Sequence, residues 1–121
     1  MRALVVDDSA VMRTMLRRVL KKQGFEAVIE ASQGVEALER LAELNNFELI
    51  LIDWNMPTMD GLELLRRVRS QSRYAAIPIM MVTTETSMNR MSEALAAGAN
   101  DYMMKPFTLD VVADKLRLMG L

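Results

Sequence analysis

Leu49-Ile50-Leu51-Ile52-Asp53 places four consecutive aliphatic residues directly before a carboxylate. A short unbroken run of this kind, rich in branched side chains, suits a strand covered on both faces. A carboxylate at the end of such a strand is costly to bury unless something binds it. The pattern also opens the chain, where Ala3-Leu4-Val5-Val6 runs into Asp7 and Asp8. Two later apolar runs close on polar groups: Thr83 follows 79–82, and Lys105 follows 102–104. In an open parallel sheet, ligands are held at the carboxyl ends of the strands. These five groups at four strand ends therefore predict an acidic pocket furnished with one cation and one hydroxyl.

Working outward from these runs, strand-like and amphipathic segments alternate along the chain. Strands are expected near 2–7, 26–30, 48–53, 78–83 and 101–104, and helices near 9–23, 33–45, 60–71, 87–97 and 108–119. In the first helix Val11, Met12, Met15, Leu16, Val19 and Leu20 recur at helical spacing, with Ser9 as N-cap and Gly24 as the stop. Leu62, Leu65 and Val68 form the stripe of the third, opposite Arg66, Arg67 and Arg69. Ser87 and Thr108 can cap the fourth and fifth, and Gly98 ends the fourth. Strict alternation of strand and helix predicts a parallel sheet with helices on both sides.

Composition narrows the chemistry. A chain of 121 residues has the length of one domain, and 51% hydrophobic residues supply a core without disulfides or a structural metal. The net charge of −1 gives no bulk attraction to nucleic acid or to an anionic membrane surface. Arg17, Arg18, Lys21 and Lys22 cluster, but at that spacing they read as the solvated side of a helix. No apolar run approaches the ~20 residues of a membrane span. The opening Met1-Arg2-Ala3-Leu4-Val5-Val6-Asp7 is too short and too soon acidic for a signal peptide, so a cytoplasmic location is expected. Cysteine and histidine are both absent, which removes thiolate and imidazole chemistry. What remains is carboxylates, Lys105 and hydroxyls. An ionised carboxylate needs no base to act as a nucleophile, which points to an aspartate as the reacting group. The 12 methionines read mostly as flexible core filling, with Met88, Met91 and Met104 set aside for a partner-binding surface.

The ordered set of Asp7-Asp8, Leu51-Ile52-Asp53-Trp54-Asn55-Met56-Pro57 leading to Met59-Asp60-Gly61, Val82-Thr83 and Lys105-Pro106-Phe107 resembles the response-regulator receiver family. The resemblance covers the whole chain and is strongest to the single-domain chemotaxis regulators. It implies a doubly wound, flavodoxin-like α/β fold of five parallel strands in the order 2-1-3-4-5 with five helices. It also implies one receiver domain over 1–121 with no output domain.

By the same resemblance Asp53 is the phosphoacceptor. Asp8, Asp53 and the backbone carbonyl of Asn55 would ligate Mg²⁺, with Asp7 acting through a water. Lys105 and the metal would neutralise the phosphoryl oxygens, while Thr83 donates its hydroxyl hydrogen to one of them. Lys105-Pro106 resembles the family's cis peptide. Asn55 and Glu85 flank the phosphoryl position and tune its removal by water, in a pairing like that of fast-cycling chemotaxis regulators. Thr84 departs from the pattern, since a smaller residue commonly follows the switch threonine, and it is expected to narrow access to Asp53. Tyr102 occupies the place of an aromatic rotamer switch, on a partner face with Met91, Leu95, Met104 and Lys115.

The function so implied is a signalling switch rather than an enzyme, one that mediates its own phosphorylation and dephosphorylation. Its partners would be a sensor histidine kinase, a flagellar motor switch protein or other protein target, and a phosphatase, with the chain itself a monomer. A stand-alone receiver serving as phosphorelay intermediate or phosphate sink is the alternative within the family. A Mg²⁺-dependent phosphohydrolase with an Asp nucleophile is the alternative outside it. Such hydrolases resemble an Asp-x-Asp motif, and here the second position is Asn55.

Overall fold

Successive strand residues point to opposite faces of a sheet, and in this chain both faces are buried. The computed structural model describes residues 1–84 and 88–121. Its strands are β1 (Arg2–Val6), β2 (Ala27–Ala31), β3 (Phe47–Asp53), β4 (Ile79–Thr83) and β5 (Asp101–Met104). All pair parallel, in the order β2-β1-β3-β4-β5. The helices are α1 (Ala10–Lys22), α2 (Gly34–Glu43), α3 (Gly61–Arg69), α4 (Met88–Ala96) and α5 (Leu109–Leu118). This is the expected fold. Each helix is slightly shorter than its periodic stretch, because capping residues lie outside the helical hydrogen bonds. Ser9, Asp60 and Thr108 accept from the backbone N–H of Met12, Glu63 and Val111 at 3.2, 2.9 and 3.2 Å. The expected cap Ser87 lies outside the described residues.

Two cores sandwich the sheet. Leu4, Val6, Ile50, Ile52, Ile79, Met81 and Tyr102 pack toward Leu41 of α2, Leu65 and Val68 of α3 and Ala94 of α4. Their neighbours Ala3, Val5, Leu49, Leu51, Met80, Val82 and Met103 pack toward Leu16 and Leu20 of α1 and Val112 and Leu116 of α5. Each fully buried aliphatic side chain contributes roughly 1.5–3 kcal/mol, so the uninterrupted β3 run anchors both layers at once.

Three expectations change. Val11 is 73% exposed and Met15 is also exposed, so the inward stripe of α1 is Leu16, Val19 and Leu20, with Met12 partly covered. β2 starts one residue later than expected, at Ala27, where its pairing with Arg2 of β1 begins, and the exposed Glu26 before it pairs with the N-terminal ammonium group. A 3-10 turn at Ser72–Tyr74 lies between α3 and β4. It is held by Arg69, which donates to the carbonyls of Tyr74 and Ile77 at 2.8 and 2.7 Å. The same side chain donates to the carbonyl of Gly98 and to Asn100 Oδ1, each at 2.9 Å. Arg69 is thus a structural pin rather than part of a solvated face, and burial lowers its pKa.

Candidate functional site

Register brings the strand ends together. Val6 lies beside Ala31 on one side and Ile52 on the other, Asp53 beside Val82, and Thr83 beside Met104. The residues that follow these pairs, Asp7 and Lys105, therefore emerge at the same edge as Asp53 and Thr83. The chain leaves β1 toward β2 and later adds β3 on the opposite side of β1, so the carboxyl edge opens a crevice where the winding reverses.

Asp7, Asp53 and Thr83 are 1%, 5% and 0% exposed, the only buried polar or charged side chains among the described residues. Lys105 Nζ lies 2.9 Å from Asp7 Oδ2 and 3.2 Å from Asp53 Oδ1. Asp7 Oδ1 also accepts from the Ser9 N–H at 2.9 Å. The Lys105-Pro106 peptide is cis, as the family pattern has it. Asn55 Nδ2 reaches Thr83 Oγ1 at 3.5 Å, and the Asn55 N–H also bonds the Asp53 carboxylate. Carboxylate oxygens of Asp7, Asp8 and Asp53 lie within 4.8 Å of one another, with Asp8 exposed.

One lysine does not balance this charge. Burial, followed by the neighbouring charge of Asp7, pushes the pKa of Asp53 up to about 6 against the pull of Lys105. Burial alone would lower the pKa of Lys105, but its hydrogen bond to Asp7 and the charges of both aspartates raise it. The surplus negative charge and the all-oxygen donor set suit a hard divalent cation. Asp7, Asp8 and Asp53 can hold one.

A close backbone approach fixes the Asp53 end of β3. The Gly61 N–H donates to the Trp54 carbonyl at 2.8 Å. A Cβ at Gly61 would stand 2.4 Å from the Asp53 carbonyl oxygen. Only glycine fits there without displacing the strand end.

Tyr102 is 7% exposed and meets the Trp54 ring edge-on, with centroids 6.5 Å apart. Met91, Leu95, Met104 and Lys115 join it in lining one groove of about 510 Å³, between α4, β5 and α5. Lys115 Nζ is bound to Asp101 Oδ1 at 2.9 Å. Of the methionines set aside for a surface, Met88 is exposed while Met91 and Met104 pack against the core. Thr84 is exposed. Glu85 lies outside the described residues.

Sequence reading missed several neighbours of the site. Arg13 donates to the Asp7 carbonyl at 2.7 Å and pairs with Glu30 at 3.1 Å. The Arg90 guanidinium stands 5.3 Å from the centre of the Trp54 ring, and Asp101 holds Lys115. All three contacts join different elements, so none leaves a local signal.

The sequence matches the response regulator receiver domain over residues 3–117. It is 46% identical over 119 residues to chemotaxis protein CheY1 of Helicobacter pylori, covering 98% of this chain and 96% of that protein. A chemotaxis protein CheY homolog of Campylobacter jejuni is 45% identical over 116 residues, covering 96% and 89%. The solved structure of Vibrio cholerae CheY4 superposes with a TM-score of 0.88 at 39% identity, covering 97% of this chain and 96% of that one. Domain match, relatives and the carboxyl-edge pocket converge: the chain belongs to the response regulator receiver domain family.

Proposed function

We propose that the chain is a phosphorylation-controlled signalling switch of a two-component system, acting in chemotaxis. Asp53 is its phosphoacceptor. The observation that carries this reading is the buried Asp53 carboxylate paired to Lys105 at 3.2 Å beside the Thr83 strand end.

The chemistry follows from the positions. Asp53, deprotonated at neutral pH, attacks the phosphorus of a phosphohistidine on a sensor kinase in line with the departing nitrogen. Asp8, Asp53 and the Asn55 carbonyl, with Asp7 through a water, would hold Mg²⁺, which would supply charge neutralisation for the phosphoryl oxygens. The Lys105 ammonium holds Asp7 and Asp53 before transfer and turns to a phosphoryl oxygen afterwards. Thr83 donates its hydroxyl hydrogen to another. Asn55 and Glu85 flank the product and set how readily water removes it.

The output is a protein contact. The receiver domain works as a monomer in the cytoplasm, with a flagellar motor switch protein as target and a phosphatase as partner. Tyr102 stands inward in this structure, so the proposed action of phosphorylation is to hold that position through Thr83. Met91, Leu95, Tyr102, Met104 and Lys115 form the receiving face, and a partner carboxylate would compete with Asp101 for Lys115. Coupling of this type is about 1–3 kcal/mol, so target affinity should rise roughly 5–150-fold on phosphorylation. Titrating a purified target with and without a phosphoryl mimic tests this. Equal affinity in the two states, or full coupling in Thr83→Ala, would defeat it.

A further inference from the structure

Asp7 is the first residue past β1, and its backbone is fastened by groups outside that strand. Its N–H donates to the Ala31 carbonyl at 3.1 Å. Its carbonyl accepts from Arg13 Nη1 at 2.7 Å. The carbonyl belongs to the peptide that joins Asp7 to Asp8, so its direction sets where the Asp8 backbone leaves. Asp8 is the exposed member of the carboxylate cluster. Among the described residues, no hydrogen bond or ion pair secures its side chain as Ser9 and Lys105 secure that of Asp7.

Arg13 is in turn oriented from β2. Its Nε bonds Glu30 Oε1 at 3.1 Å, while Glu30 Oε2 takes Arg17 Nη1 at 3.3 Å. The Arg13 side chain is 18% exposed, so this is a largely covered bridge between α1, β2 and the strand-end loop. A guanidinium presents its donors in a rigid planar fork. One group can thereby serve the Asp7 carbonyl and Glu30 at once, which a single ammonium point cannot do in the same geometry.

We infer that Arg13, oriented by Glu30, is a positioning residue for the divalent-cation site: it fixes the Asp7–Asp8 peptide and so places the Asp8 carboxylate relative to Asp53. The inference rests on the metal reading given above and adds to it a residue that touches neither the cation nor the phosphoryl group. Charge and position predict opposite signs here. Removing a cation near three carboxylates makes the surroundings more negative and should tighten a divalent ion. Removing the strut lets the Asp8 backbone swing and should loosen it. Outer-shell partners of metal ligands are typically worth about 10–100-fold in metal affinity.

The test is a MgCl₂ titration of the full chain, read by Trp54 fluorescence and by calorimetry, with urea unfolding in chelator as the measure of fold. Arg13→Lys keeps the charge and loses the fork, and should weaken Mg²⁺ binding about tenfold or more. Arg13→Gln should weaken it at least as much. Glu30→Gln should act in the same direction but less strongly. The double variant Arg13→Gln/Glu30→Gln should be no weaker than Arg13→Gln alone, since both act through one strut. Arg17→Gln, which touches Glu30 but not the Asp7 carbonyl, should stay within about twofold by the same additivity argument. Unchanged or tighter binding in folded Arg13→Lys overturns the inference, as does additive loss in the double variant. If Arg13→Gln fails to fold, Arg13→Lys and Glu30→Gln decide alone. A wild-type chain that ignores Mg²⁺ overturns the metal reading itself, an outcome distinct from a responsive wild type whose Arg13 variants match it.

Discussion

Replacing Asp53 with asparagine should stabilise the metal-free protein at neutral pH, and the size of the effect follows from the environment of the carboxylate. Its pKa stands at about 6 rather than its ordinary 3.8, driven up by burial and then by the charge of Asp7. The side chain is 5% exposed but lies in a crevice beside the exposed Asp8, so solvent screens part of the penalty. At 1.36 kcal/mol per pKa unit the difference corresponds to about 3 kcal/mol. The sign is fixed by proton linkage. Between about pH 4 and pH 6 the folded chain binds more protons at this site than the unfolded chain, so stability falls as pH rises through that window. Above pH 6 the folded state carries the full cost, which a neutral amide at this position would not. Asp53→Asn should therefore gain about 2–3 kcal/mol at pH 7.5 in chelator, a rise of roughly 10 °C in Tm for a chain of this length. The gain should shrink toward zero by about pH 4. Saturating Mg²⁺ should narrow or reverse the difference, because a ligand that binds only the folded wild type stabilises it by about 2.7 kcal/mol at a hundredfold excess over Kd. Urea unfolding across pH 4–8, with and without Mg²⁺, measures all three. A variant no more stable than wild type at pH 7.5 in chelator, or one whose advantage grows on acidification, would refute the reasoning.

Other perturbations probe separate parts of the structure. Gly61→Ala places a methyl 2.4 Å from the Asp53 carbonyl oxygen. It should destabilise by roughly 1–3 kcal/mol and impair phosphorylation, as unfolding curves and phosphotransfer assays would show. Arg69→Met leaves the carbonyls of Tyr74, Ile77 and Gly98 without their guanidinium donor. It should lower stability by about 3 kcal/mol without altering Mg²⁺ affinity in a fluorescence titration. Arg90→Gln removes the cation from the Trp54 face. Tryptophan emission should shift while stability falls by no more than ~1 kcal/mol. Lys105→Ala should retain Mg²⁺ binding yet lose the phosphorylation-dependent rise in target affinity, measured in the same titration as wild type.

The centre of the sheet was legible because β1, β3 and β4 are short, largely apolar and closed by a polar residue, whereas edge strand β2 carries Glu30. The order of the strands came instead from the family resemblance. The pocket was legible for the same reason as the strands: Asp7, Asp53, Thr83 and Lys105 each follow an apolar run, and parallel register carries all four to one edge. What escaped were contacts whose partners are distant in sequence. Arg13 meets the Asp7 carbonyl and Glu30 only because Val6 pairs with Ala31. Arg69 sits at the periodic position of a solvated side chain, yet its length lets the guanidinium turn under α3 to the carbonyls. Val11 and Met15 fit the helical stripe by spacing but stand exposed, since periodicity marks a face without saying where the sheet stops covering it.

Asp53 is proposed to accept a phosphoryl group in a Mg²⁺-dependent reaction. Incubating the chain with a phosphorylated histidine kinase, then mapping the modification by mass spectrometry, tests this most directly. The predicted result is one phosphoryl group on Asp53, formed with Mg²⁺ and not in chelator, released by hydroxylamine as an acyl phosphate should be, and missing from Asp53→Asn. A phosphoryl group that forms equally in chelator, persists in Asp53→Asn, or resists hydroxylamine on a serine or threonine would contradict the account.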